Sequence, residues 1–125
     1  MGEIEIDNKL ASVEHLARSA AEALAEIKGI EILLLDLRHL STFTDYFVIA
    51  TAESHVQMKA LADNVRRKMA EEGSKIHNSE GQDSKTWVLL DYSTVIVHIF
   101  SPAARDYYSL ENLWGDAKET PYISQ

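Results

Sequence analysis

Apolar residues in this chain follow two rhythms. Between positions 8 and 28, Leu10, Val13, Leu16, Ala17, Ala20, Leu24 and Ile27 recur every three or four residues, the stripe of an amphipathic helix. Asp7 or Asn8 can cap its start, and Gly29 can end it. Ile30 to Leu37 is short and aliphatic, which predicts a buried strand. Ser41 to Thr44 reads as a loop, and Asp45 to Thr51 as a second strand. Ser54 and Gln57 have the spacing of a capping box. They open a helix with Leu61, Ala62, Val65 and Met69 inward, ending at Gly73. Its outer face carries the basic cluster Arg66-Arg67-Lys68, read as solvated.

Further on, Ser74 to His77 suits a short edge strand, and Asn78 to Lys85 a polar loop. Thr86–Asp91 and Thr94–Phe100 are rich in β-formers and predict an antiparallel hairpin joined by Tyr92-Ser93. Ser101-Pro102 is a helix start, Ser as cap and Pro in the first turn. The strand–helix–strand passage implies a right-handed parallel crossover. The expected class is α/β, a mixed five-stranded sheet with flanking helices. At 125 residues the chain suits a single domain, 1–125, with its core over about 8–117.

Composition narrows the possible functions. With no cysteine, disulfides, thiol catalysis and cysteine-ligated metal are excluded. No apolar run approaches the roughly 20 residues that cross a bilayer, so no membrane role is expected. The acidic start, Met1-Gly-Glu-Ile-Glu-Ile-Asp7, differs from basic signal or transit peptides, which makes a cytoplasmic address the expectation. The net charge of −8 opposes binding to phosphate backbones and favours a basic protein partner, or simply serves solubility.

Catalytic patterns are missing. The five histidines, His15, His39, His55, His77 and His98, show no metal-binding spacing. There is no Gly-rich phosphate loop and no Gly-x-Ser-x-Gly elbow. Asp45 and Asp91 stand alone, and Asp36 has Arg38 beside it, so no carboxylate pair is placed to hold two cations. His98, on a strand face with Ile96 and Phe100, reads as a half-buried hydrogen-bonded histidine, a contact residue or a proton switch. Trp87 opens a strand after a polar loop. It is either a core-edge residue or an exposed docking residue beside Asp91 and Tyr92. Arg105, Tyr108, Leu110, Leu113 and Trp114 crowd the C-terminal segment, which either seals a core edge or forms a docking surface.

Several segments in series carry a resemblance. They are Thr44-Asp-Tyr-Phe-Val-Ile-Ala-Thr51; Ser54 with Gln57, Ala60 and Ala62; Glu80-Gly81 before Trp87-Val-Leu-Leu-Asp-Tyr92; Val95-Ile-Val-His-Ile-Phe100; and Pro102-x-x-Arg105 leading to Tyr108-x-Leu110-Glu111-x-Leu113-Trp114-Gly115-Asp116. The chain resembles the ribosomal silencing factor, or iojap, family over about residues 8–117. The resemblance implies a fold akin to nucleotidyltransferases without their catalytic carboxylates, no cofactor and no enzymatic activity. It implies binding to the large ribosomal subunit through its ribosomal protein fourteen, blocking subunit joining when nutrients are short. It also implies a homodimer in the free state.

Matched by motif position, Trp87, Asp91, Tyr92, His98, Arg105, Tyr108, Leu110 and Trp114 are the candidates for contacting the partner or shaping the surface. The chain departs from the family pattern at Ser93-Thr94, where Gly-Asp is usual, and in the less acidic loop Ser79–Lys85. Two other readings compete: a nucleotide-processing enzyme, on fold analogy alone, and a dimeric adaptor with a non-ribosomal partner.

Overall fold

The computed structural model describes residues 2–123. Ten elements follow in order: α1 (Gly2–Glu26), β1 (Ile30–Asp36), β2 (Tyr46–Thr51), α2 (His55–Glu71), β3 (Asn78–Glu80), β4 (Trp87–Asp91), β5 (Val95–Phe100), α3 (Pro102–Tyr108), α4 (Leu110–Leu113) and β6 (Lys118–Pro121). The sheet has six strands, ordered β3-β4-β5-β2-β1-β6, where five were expected. The extra strand, β6, pairs antiparallel with β1 through Lys118 to Pro121. Its Lys-Glu-Thr-Pro sequence has no apolar alternation, and backbone pairing alone defines it. Proline is tolerated because this is an edge.

The class is α/β and the sheet is mixed, but the crossover differs from expectation. β1 and β2 are antiparallel neighbours. Among the described strands the one parallel pair is β2 with β5. The chain leaves β2, runs through α2 to the far edge, and returns through β3 and β4 to reach β5. The central strands β2 and β5 are buried along their whole length, as expected for strands covered on both faces.

Local chemistry sets the boundaries. α1 begins before the expected start and runs through Asp7 and Asn8; the side chains of these residues and of Leu10 lie outside the described set. At its other end Lys28, not Gly29, takes the left-handed conformation, with φ 67°. The Gly29 N–H donates to the Leu24 carbonyl at 2.8 Å and the Lys28 N–H to that of Ala25 at 3.0 Å, a Schellman closure. A Cβ on Gly29 would sit 3.0 Å from that Leu24 oxygen. Ser54 caps α2 as predicted, its Oγ accepting the Gln57 N–H at 3.1 Å, but the Gln57 side-chain oxygen accepts from the Glu53 N–H at 2.7 Å and not from that of Ser54, as a full capping box would have it. Gln57 also donates to the Lys28 carbonyl at 2.9 Å, tying the start of α2 to the end of α1. The basic cluster is not all solvated: Lys68 reaches Glu22 at 2.9 Å on α1.

Two further boundaries move. The edge strand is Asn78–Glu80, after the expected Ser74–His77 and inside the expected loop. The hairpin turn centres on Ser93-Thr94, closed by the Tyr92 N–H to the Val95 carbonyl at 2.9 Å. Ser93 has φ 70°, a conformation that favours glycine. The Asp91 carboxylate accepts the Ser93 N–H at 2.7 Å and steadies the turn.

The alternation of each strand divides the core. Leu34, Val48, Ala50, Val88, Leu90, Val97 and Ile99 pack under α1 and α2 against Ala17, Ala20, Leu24, Leu61, Val65 and Met69. The opposite face carries Leu33, Leu35, Phe47, Ile49, Ile96 and Phe100, with Trp87 and Leu89 half-buried beside them. That face is covered by the short C-terminal elements, through Ala104, Leu110, Trp114 and Ala117, and by Leu37 and Phe43 of the β1–β2 loop.

Candidate functional site

The incompletely covered face is aromatic. Trp87 packs against Tyr108 (ring centroids 4.6 Å apart) and Phe100 (5.0 Å). His98 meets Phe47 edge-on at 4.5 Å, and Phe47 meets Trp114 at 6.1 Å. Phe43 extends the run beyond Trp114, with centroids 6.2 Å apart. At the margins Phe43 is 58% exposed, Leu113 73% and Tyr107 81%. Large apolar groups left in water at the margin of an aromatic layer are the kind of surface that protein contacts use.

His98 lies under this layer. The residue is 4% exposed, and Nδ1 accepts the Trp87 indole N–H at 3.1 Å. Because indole only donates, Nδ1 is unprotonated, and the neutral ring carries its proton on Nε2. Nε2 is buried and has no hydrogen-bond partner among the described residues. Desolvation drives the pKa down to about 3, so the imidazole is neutral across the physiological range. Of the three sequence readings, the buried, hydrogen-bonded histidine describes the geometry, with burial deeper than expected.

The C-terminal segment is held over the sheet by Arg105. Its Nε donates to the Glu111 carboxylate at 2.6 Å and Nη1 to Thr51 Oγ1 at 3.0 Å, joining α3, α4 and β2. Ser101 caps α3 by accepting the Ala104 N–H at 3.2 Å. Ser109, at φ 46°, turns the chain between α3 and α4. Tyr108 is thereby brought onto Trp87.

The predicted site residues separate into groups. Trp87, His98, Tyr108 and Trp114 come together in the aromatic face. Arg105 braces the segment from behind, and Leu110 is buried beneath it at 9% exposure. Asp91 shares the face by strand alternation and is spent on its turn. Tyr92 points the other way, 5% exposed in the core under the long helices. Phe43, Leu40, Leu89 and Tyr107 belong to the face and were not singled out. The visible signal was Phe43, a large aromatic in an otherwise polar loop.

A hollow of about 580 Å³ lies where Arg105 meets the sheet, lined by Glu31, Glu53, Asp106, Glu111 and Glu119 among others. Its carboxylates repel a nucleotide phosphate, and its one arginine is already engaged. Among the described residues, no cluster of three or more histidines or carboxylates could hold a metal ion. No described helix is long and apolar enough to cross a membrane.

The fold is a mixed α/β sheet with an aromatic layer on one face, exposed at its margins at Phe43, Leu113 and Tyr107. Its relatives make the class specific. A family model described as "Ribosomal silencing factor during starvation" matches residues 10–125. The ribosomal silencing factor RsfS of Chromobacterium violaceum is 43% identical over 106 residues, covering 85% of this chain and 87% of that protein. The Bacillus subtilis factor of the same name is 38% identical, covering 82% and 86%. A crystal structure of a Chromobacterium violaceum protein superposes with a TM-score of 0.80 at 41% identity, covering 90% of this chain and 93% of that one. The chain belongs to the ribosomal silencing factor family, whose members are regulators of translation and not enzymes.

Proposed function

We propose that this protein is a translational repressor that docks on the large ribosomal subunit through that subunit's ribosomal protein fourteen. Its bulk then blocks joining with the small subunit when nutrients are limiting. The observation that carries this reading is the aromatic face around Trp87, which gives a ribosome-associated family member a surface with which to dock. The net charge of −8 suits approach to a basic ribosomal protein, by steering encounter more than by adding affinity. The contact is with protein, so it requires neither nucleic acid nor cofactor.

On this reading the chain acts as one cytoplasmic domain, and the nucleotidyltransferase-like scaffold serves only to present the sheet face. The free protein is a homodimer that gives up its self-contact on docking. The test is co-sedimentation with purified large subunits, wild type beside Trp87→Ala. Wild type pellets, and the variant binds about tenfold more weakly or worse, as for loss of a central aromatic anchor. If wild type stays in the supernatant at low salt, where steering is strongest, the ribosomal reading fails and a non-ribosomal adaptor takes its place.

A further inference from the structure

Trp87 is fixed from within and open at one margin. Its indole N–H is held by His98 at 3.1 Å, and its ring is packed by Phe100 and Tyr108. At the margin lies a depression of about 130 Å³, lined by Glu80, Gly81, Trp87 and Leu89. That is room for roughly four waters, or for one side-chain stem.

Three features define what fits there. First, the walls are apolar: indole and Leu89. Second, the rim carries a carboxylate. Glu80 stands directly opposite Leu89 in the β3–β4 register, so the two share a face. It is exposed and forms no ion pair among the described residues. Third, the floor is backbone. Gly81 has φ +74°, and a Cβ there would run into the Trp87 carbonyl oxygen. A side chain at 81 would therefore strain the turn that forms this floor.

An acidic side chain would be repelled by Glu80, and a purely apolar one would desolvate that carboxylate without pairing it. A long cationic side chain satisfies both parts. Its methylenes lie on Leu89 and the indole while its charge reaches Glu80 and the ring's negative face. We propose that this depression is a socket for a single Lys or Arg side chain of the docking partner. Trp87 and Leu89 receive its stem, and Glu80 its charge. This rests on the docking proposed for the same face and names the chemistry of one contact within it.

Two measurements test it. In the first, n-butylguanidinium ion is titrated into the full ¹⁵N-labelled chain while the Trp87 indole N–H resonance is followed. A saturable shift in the millimolar range is expected for wild type. It is lost in Glu80→Gln and is not produced by n-butanol. In the second, Glu80→Gln is compared with wild type in co-sedimentation with large subunits across a salt series. About fivefold weaker binding and a flatter salt dependence are expected. Glu80 is exposed, and an unchanged melting midpoint establishes that the variant is folded.

No indole shift in wild type overturns the socket. So does equal binding with equal salt dependence in the two proteins, which leaves docking of the wider face standing. If wild type fails to sediment while the specific shift persists, the ribosomal reading fails and the socket stands for another basic partner.

Discussion

Acid should weaken this protein before most carboxylates titrate, because of His98. In the folded chain its pKa is depressed to about 3 by burial among Trp87, Phe47 and Phe100. In the unfolded chain it returns to about 6.5. The folded state keeps the ring neutral, and the unfolded state takes up a proton below that value. Stability from this group is therefore complete above about pH 6.5 and is lost as pH falls toward 3. Between pH 7 and pH 5 the loss is about 2 kcal/mol, at about 1.4 kcal/mol per pH unit below the unfolded pKa.

The assay is urea unfolding followed by circular dichroism at pH 7 and pH 5, for wild type and His98→Leu. Leucine removes the titrating group and the unpartnered Nε2, and leaves the Trp87 indole N–H without its acceptor. Wild type should lose about 2 kcal/mol over this interval and the variant should lose about that much less, both with unchanged denaturant slopes. Equal losses in the two proteins would refute the reasoning: His98 would then not be neutral and buried as described.

Three further outcomes follow from particular contacts. Arg105→Met leaves Glu111 without its partner in a pair whose side chains are 12% and 22% exposed; a loss of about 3 kcal/mol is expected, read as a fall in thermal midpoint. Ser54→Ala removes the α2 cap and should cost about 1 kcal/mol with no effect on docking, measured by urea unfolding and co-sedimentation together. Phe43→Ala alters a residue 58% exposed at the edge of the aromatic face. It should weaken large-subunit binding several-fold while shifting stability by less than about 0.5 kcal/mol.

The elements were legible where side-chain chemistry alone makes them. The Ser54 cap of α2, the α3 start at Ser101-Pro102 and the two central strands all announce themselves locally. β6 did not, because edge pairing with β1 uses backbone groups that carry no residue code. The α1 terminus was misassigned by one residue because glycine is the usual left-handed residue, and here Lys28 takes that role while Gly29 is needed for close approach to Leu24. The candidate site was half legible. Trp87 and Trp114 drew attention as rare aromatics. Tyr92 entered by its place in the motif, although strand alternation turns it to the face opposite Asp91 and Trp87.

The sequence by itself determined the class of fold, the family and the absence of the usual catalytic patterns. Periodicity, caps and motif order are properties of neighbouring residues, readable without a partner. Only the tertiary structure decided which aromatics stand together, that His98 is neutral and holds the Trp87 indole, and that Phe43 joins a face begun at Trp87. Those facts depend on strand order and on where Arg105 fastens the C-terminal segment. Contacts between residues far apart in the chain follow from the three-dimensional path and leave no local trace.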